Sequence, residues 1–138
     1  MSSPLFVDTA YVIALINAND RYHQQALSWA NQYDRHPVIT TDAVLLEIGN
    51  ALSRSARGEA AEIINYFQIA SEATVISLTP ELFTTAMRLY TRYQDKTWGL
   101  VDCVSFVVME EMGLSVALSF DRHFVQAGFV LADLDTEL

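Results

Sequence analysis

The sequence predicts an α/β fold of βαβ units around a parallel sheet, in a single domain over residues 1–138. Two observations carry that prediction. Short apolar runs of strand length alternate along the chain with runs of helix length, the pattern of βαβ units. The 138 residues are also 51% hydrophobic, with only 5 Gly and 3 Pro. That is enough apolar surface for a sizeable core, and too few chain breakers for a disordered or low-complexity chain.

The elements follow in order. Leu5-Phe6-Val7 is a β-prone run ending at Asp8, Ala10 to Ile16 reads as a buried helix, and Tyr22 to Tyr33 as an amphipathic one. Val38-Ile39-Thr40 is a second strand, with Asp42 as the expected N-cap of a helix from Ala43 to about Arg57 that Gly58 stops. Glu59 to Ala73 reads as a helix and Thr74 to Leu78 as a strand. Thr79-Pro80 opens the next helix, with Pro80 at the first helical position and Glu81 in the first turn, and it runs to about Tyr93. The loop Gln94 to Gly99 leads into an apolar helix, Leu100 to Met112, ended by Gly113. Ser115 to Leu118 is a strand, Asp121 to Ala127 a helical turn, and Phe129 to Leu131 a last strand; the tail Asp133 to Leu138 reads as frayed.

Charge narrows the function. Eight basic residues, with Lys96 the single lysine, stand against seventeen acidic ones, a net charge of −9. A chain of this sign is no generic basic nucleic-acid binder, because phosphate attraction needs a positive surface. It can act on nucleic acid if divalent cations occupy its acidic sites or a basic partner supplies the surface. No apolar run reaches the roughly 18 residues of a membrane span, and the first residues lack the basic start of a signal peptide. Cys103, alone, makes neither an internal disulfide nor a thiolate zinc site of the usual kind. The expectation is a soluble cytoplasmic domain with no membrane partner.

Four acids stand in apolar frames. Asp8 ends one strand and Asp121 follows another, while Glu47 interrupts Ala43-Val44-Leu45-Leu46 and Ile48, a helix that reads as apolar on nearly every face. Asp102 interrupts Leu100-Val101 and Cys103-Val104. Buried carboxylates need a partner, a proton or a metal. In an open α/β sheet, ligands bind beyond the carboxyl ends of the strands, and helices that follow parallel strands begin on that side, so all four converge on one edge. Such a cluster repels itself, and an oxygen-only ligand set favours Mg²⁺ or Mn²⁺ over Zn²⁺. Asn50, one turn after Glu47, adds an amide, and Thr9 and Ser119 add hydroxyls beside the strand-end acids.

Each acid also has a purely structural reading: Asp8 and Asp121 as N-caps, Asp102 as a first-turn acid favoured by the helix dipole. Glu47 has the weakest of these, since mid-helix burial offers neither benefit. The histidines show no ligand spacing and read as surface residues; His123, two after Asp121, is the one near enough to touch the site. Cys103 reads as inert core, and no glycine pattern supports a serine nucleophile at Ser105 or Ser119. Trp98 reads as core or interface, with base stacking open because it adjoins the acidic edge.

The segments Phe6-Val7-Asp8-Thr9-Ala10, Thr41-Asp42-Ala43-Val44-Leu45-Leu46-Glu47-Ile48-Gly49-Asn50, Gly99-Leu100-Val101-Asp102-Cys103-Val104 and Leu118-Ser119-Phe120-Asp121-Arg122-His123-Phe124 resemble the PIN-domain family, most of all its VapC-type ribonuclease toxins. The resemblance spans nearly the whole chain. It implies a three-layer α/β/α sandwich around a central parallel sheet of four to five strands, and a Mg²⁺- or Mn²⁺-dependent endoribonuclease with Asp8, Glu47, Asp102 and Asp121 as the acidic quartet. Ser119 matches the family's Thr or Ser two residues before the last acid, whereas Ala10 stands where many relatives carry a polar residue. It further implies an RNA substrate and a small antitoxin partner; a C2 homodimer, the commonest oligomer, is expected, with phosphate contacts left to the few arginines, Arg54, Arg57 and Arg122. A non-catalytic acidic binding module and a stand-alone nuclease without antitoxin are the alternatives. A receiver domain lacks its late-strand Lys here, and a haloacid-dehalogenase-like phosphatase lacks its Asp-x-Asp.

Overall fold

The computed structural model describes residues 3–132, in which five strands and seven helices alternate. The strands are β1 (Leu5–Val7), β2 (Val38–Thr41), β3 (Ala73–Ile76), β4 (Val116–Leu118) and β5 (Val130–Leu131). They form one sheet in the order β3-β2-β1-β4-β5, and every pairing is parallel. The chain therefore winds from the central β1 outward through β2 and β3, then returns to β1's other side for β4 and β5. The reversal lies between β1 and β4, the place where an open parallel sheet leaves a crevice.

The helices are α1 (Thr9–Ile16), α2 (His23–Gln32), α3 (Asp42–Ala51), α4 (Arg57–Ile69), α5 (Pro80–Arg92), α6 (Leu100–Glu111) and the short α7 (His123–Gln126). The expected sandwich is thus the observed one, with five strands. Leu5, Phe6 and Val7 are buried without alternation, as a strand covered on both faces must be. Packed rings run Tyr93–Trp98–Phe106–Phe124–Phe6, with centroids 5.0–6.2 Å apart, and bind α6 and α7 to the sheet. Trp98 is buried in that series and its Nε1 donates to Gln126 Oε1 at 3.0 Å, so the structural reading of this tryptophan holds and base stacking does not.

Several boundaries move for local reasons. The N-cap of α3 is Thr41 rather than Asp42: Thr41 Oγ1 accepts from Val44 N at 3.1 Å, while Asp42 Oδ1 accepts from Leu78 N at 2.9 Å. The single helix expected to end near Arg57 stops at Ala51. Arg57 instead opens α4, and Gly58 lies in its first turn rather than ending anything. Thr79 caps α5 as its Thr-Pro sequence implies, accepting from Leu82 N at 3.1 Å. The tail 133–138 lies outside the described residues.

Candidate active site

Each strand of the β1/β4 pair delivers an acid to the crevice. Asp8 follows Val7, and its backbone N–H donates to the Leu118 carbonyl at 3.2 Å, extending the ladder by one step. Asp8 does occupy the N-cap position of α1, but without the usual side-chain cap bond to the helix. Its Oδ2 instead accepts from Ser119 Oγ at 2.7 Å, and the same Oγ accepts from Asp121 N at 3.0 Å. Ser119 is fully buried and joins two of the four acids through one hydroxyl.

Asp8 is 4% exposed. Burial pushes its carboxyl up to about 7, the Ser119 hydrogen bond opposing and the charges of Asp102 and Asp121 adding to the rise. Asp102 stands in the first turn of α6 with Oδ2 accepting from Gly99 N at 2.9 Å. Its carboxyl is raised as well, first by burial and then by Asp121, against the pull of the Gly99 and His123 hydrogen bonds. Both the dipole-favoured position and the crevice-facing one therefore describe Asp102. Asp121 likewise has a local duty, accepting the His123 backbone N–H at 2.9 Å through Oδ1.

His123 is the residue the sequence left at the margin. Its Nδ1 lies 3.1 Å from Asp102 Oδ2 and 3.2 Å from Asp121 Oδ1, and Thr97 Oγ1 lies 3.1 Å from its Nε2. Ligand atoms of Asp102, Asp121 and His123 all fall within 4.8 Å of one another. The available signal was its place two residues after Asp121, where a tight turn folds the side chain back on the acid. His23 and His36 instead bond the Ala14 and Ser3 carbonyls.

Glu47 departs from expectation. It lies on an exposed face of α3 beside Leu46, which is 68% exposed, so the mid-helix burial expected for it is absent. Periodicity explains this, because α3 buries Ala43, Val44, Leu45 and Ile48 on one side and turns Leu46, Glu47 and Asn50 outward. Glu47 still reaches the strand-end acids at one remove: its Oε1 accepts from Thr9 Oγ1, the residue next to Asp8. Glu47 and Asn50 line one shallow groove with Leu46, Phe83 and Leu100.

Phe120 fixes the segment that carries Ser119 and Asp121. Its ring stacks between Tyr22 (4.4 Å, 3°) and Trp29 (4.7 Å, 7°), wedging the loop against α2. Among the described residues no Arg or Lys pairs with the four acids. Arg122 is exposed beside Asp121, while Arg54 is exposed past the end of α3 and Arg57 Nε donates to the Ser53 carbonyl at 3.2 Å. Cys103 is buried in α6 and its thiol is pushed up to about 11 by burial, as an inert core cysteine should be.

A parallel sheet with carboxylates gathered at its reversal point is the setting of a metal-dependent phosphodiester hydrolase. Known proteins of similar sequence and shape bear out that class. Residues 5–130 match the PIN domain. The chain is 34% identical over 128 residues to the 23S rRNA-specific endonuclease VapC20 of two Mycobacterium tuberculosis strains, covering 91% of this chain and 95% of the relative. The crystal structure of M. tuberculosis VapC20, described as a sarcin-ricin loop cleaving toxin, superposes with a TM-score of 0.82 at 31% identity over 91% of this chain and 96% of that one. FitAcB from Neisseria gonorrhoeae shares the fold at 11% identity, with a TM-score of 0.65 over 94% of this chain and 96% of that one. The chain belongs to the PIN-domain family of metal-dependent nucleases.

Proposed function

We propose that the acids beside β1 and β4 are the catalytic centre of this PIN-domain endoribonuclease, with Asp8, Asp102 and Asp121 holding one or more divalent cations and Glu47 completing the set. The supporting observation is the Ser119 hydroxyl, buried and shared between Asp8 and Asp121, in a cluster that no Arg or Lys neutralises among the described residues and in which burial raises the Asp8 and Asp102 carboxyls. Carboxyls whose ionisation is opposed by burial and by one another are the groups that a cation relieves. Their oxygen donors fit Mg²⁺ or Mn²⁺. When bound, such a cation offsets charge developing on a phosphodiester and acidifies a water as the nucleophile.

The chain's own residues then have distinct duties. Asp8, dry and oriented by Ser119, presents a fixed oxygen. Asp102 and Asp121 are wetter and face the substrate side. Glu47 is held by Thr9 at the mouth, suited to a water between it and a cation rather than to direct ligation. Asn50 lies one turn further along the same groove. Arg122, exposed next to Asp121, is the closest phosphate contact in sequence to the acids, with Arg54 and Arg57 further along the surface. No side chain need be the nucleophile.

By analogy with VapC20, the substrate is structured RNA, and the partner is a small antitoxin that sets a cationic side chain among the carboxylates. The chain acts as a homodimer, pairing two acidic sites. No helix among the described residues is long and apolar enough to cross a membrane. Incubation with ribosomes or total RNA, with Mn²⁺, with Mg²⁺ and with EDTA, tests the reading: discrete cleavage requiring the cation is expected. Cleavage that survives saturating EDTA overturns the metal role. An active nuclease purified from its host without any small companion protein overturns the antitoxin.

A further inference from the structure

We propose that His123 is itself a ligand of the catalytic cation through Nδ1, which makes the site a mixed nitrogen–oxygen one that favours Mn²⁺ over Mg²⁺. The inference rests on the metal centre proposed above and concerns its ligand set. The geometry is specific. In an octahedral complex with ligand bonds of about 2.1 Å, neighbouring ligands lie about 3.0 Å apart. Nδ1 stands 3.1 Å from Asp102 Oδ2 and 3.2 Å from Asp121 Oδ1. Two edges of an octahedral face are therefore already at ligand spacing, and ligand atoms of all three residues lie within 4.8 Å of one another.

The far side of the ring supplies the support that a ligating imidazole uses. A metal-bound histidine characteristically donates its other N–H to an oxygen, which fixes both tautomer and ring plane. Thr97 Oγ1, 3.1 Å from Nε2, is placed to accept that N–H. The backbone is anchored too, because the His123 N–H is bonded to Asp121 Oδ1 and Phe124 next to it is fully buried. An imidazole among carboxylates shifts preference along the divalent series toward the softer transition ions, whereas Mg²⁺ keeps to oxygen and water. Without a cation, the same Nδ1–H can bridge the two aspartates, so the imidazole has a role in both states.

The test reads the metal, not the turnover. Mn²⁺ is added to the full chain and pulsed electron paramagnetic resonance is used to look for the hyperfine coupling of a directly bound imidazole nitrogen. The wild type is expected to show it, and His123→Gln, still able to hydrogen-bond, to lose it. Calorimetric Mn²⁺ affinity should fall by at least about 10-fold in that variant, the lower end of the loss that follows removal of an outer-shell partner alone, with Mg²⁺ affinity changing much less. A wild-type Mn²⁺ complex without nitrogen coupling overturns the proposal and needs no variant to fold. Equal losses for both ions overturn it as well, since they mark a residue that only positions Asp102 and Asp121. If Asp102→Asn leaves Mn²⁺ binding unchanged, the metal centre itself has been misplaced, a result distinguishable from failure of His123 alone.

Discussion

The two sides of the crevice handle negative charge in opposite ways. On the β1 side, Asp8 is almost wholly dry and answered by a neutral hydroxyl; on the α6–α7 side, Asp102 and Asp121 keep 17% and 33% of their side-chain surface and share an imidazole. Burial favours the protonated form of Asp8 against the pull of the Ser119 hydroxyl, while the wetter Asp102 is raised by burial against the pull of the Gly99 and His123 hydrogen bonds. The electrostatic cost of gathering the acids is concentrated at Asp8. Contact with solvent lies with its neighbours.

The sharpest way to break this contrast is by activity. Asp8→Asn and Asp102→Asn are each expected to lower cation-dependent RNA cleavage by at least about 100-fold while the circular dichroism spectrum is kept, as for loss of a principal charge-stabilising group. Either variant cutting near the wild-type rate would remove that residue from the centre.

Stability separates the two sides next. Folded Asp8 keeps its proton up to about pH 7, whereas in the unfolded chain it is released near the ordinary value of 3.8. The folded state therefore binds more protons between those values, and unfolding free energy falls as pH rises through that window. Each tenfold difference in proton affinity corresponds to about 1.4 kcal/mol. In EDTA, Asp8→Asn should raise the melting temperature at pH 8 and change it little below pH 4. Asp102→Asn should give a smaller gain, because its carboxyl is wetter. Denaturation followed across pH reads both, and a destabilised Asp8→Asn at pH 8 would return Asp8 to a structural role.

Adding Mn²⁺ should stabilise the wild type by linkage and the two asparagine variants less, which thermal shift against cation concentration measures. Smaller effects follow at the supports. Ser119→Ala leaves Asp8 without its hydroxyl donor and frees the Asp121 N–H, a loss of about 1–3 kcal/mol with a matching fall in Mn²⁺ affinity. Thr9→Val releases only the exposed Glu47, and its cleavage rate should change least of all. Equal effects from these two substitutions would erase the contrast between a dry and a wet half.

Much of this was legible along the chain. Apolar runs interrupted by single acids locate Asp8, Asp102 and Asp121, because a carboxylate breaking a buried strand end or helix start has few physical excuses. Thr79-Pro80 marks the start of α5 because proline needs no N–H there. Glu47 was placed correctly on its helix but assigned to the wrong degree of burial: four consecutive apolar residues hide which face meets the core. The cap of α3 was misplaced by one residue because Thr41 and Asp42 are both good caps, and only the approach of Leu78 N claims Asp42 for another task.

What the sequence by itself determined was the kind of element at each point and the acids that interrupt it, since both follow from local patterns of apolarity and backbone preference. Tertiary structure decided the partnerships. Ser119 lies 111 positions from Asp8, and nothing near either residue announces the bond between them. His123 reaches Asp102 across 21 positions only because α6 and α7 pack against each other through Phe106 and Phe124. Proton affinities belong to the same class: burial and neighbouring charge set them, and both exist only once the strands have brought their ends together.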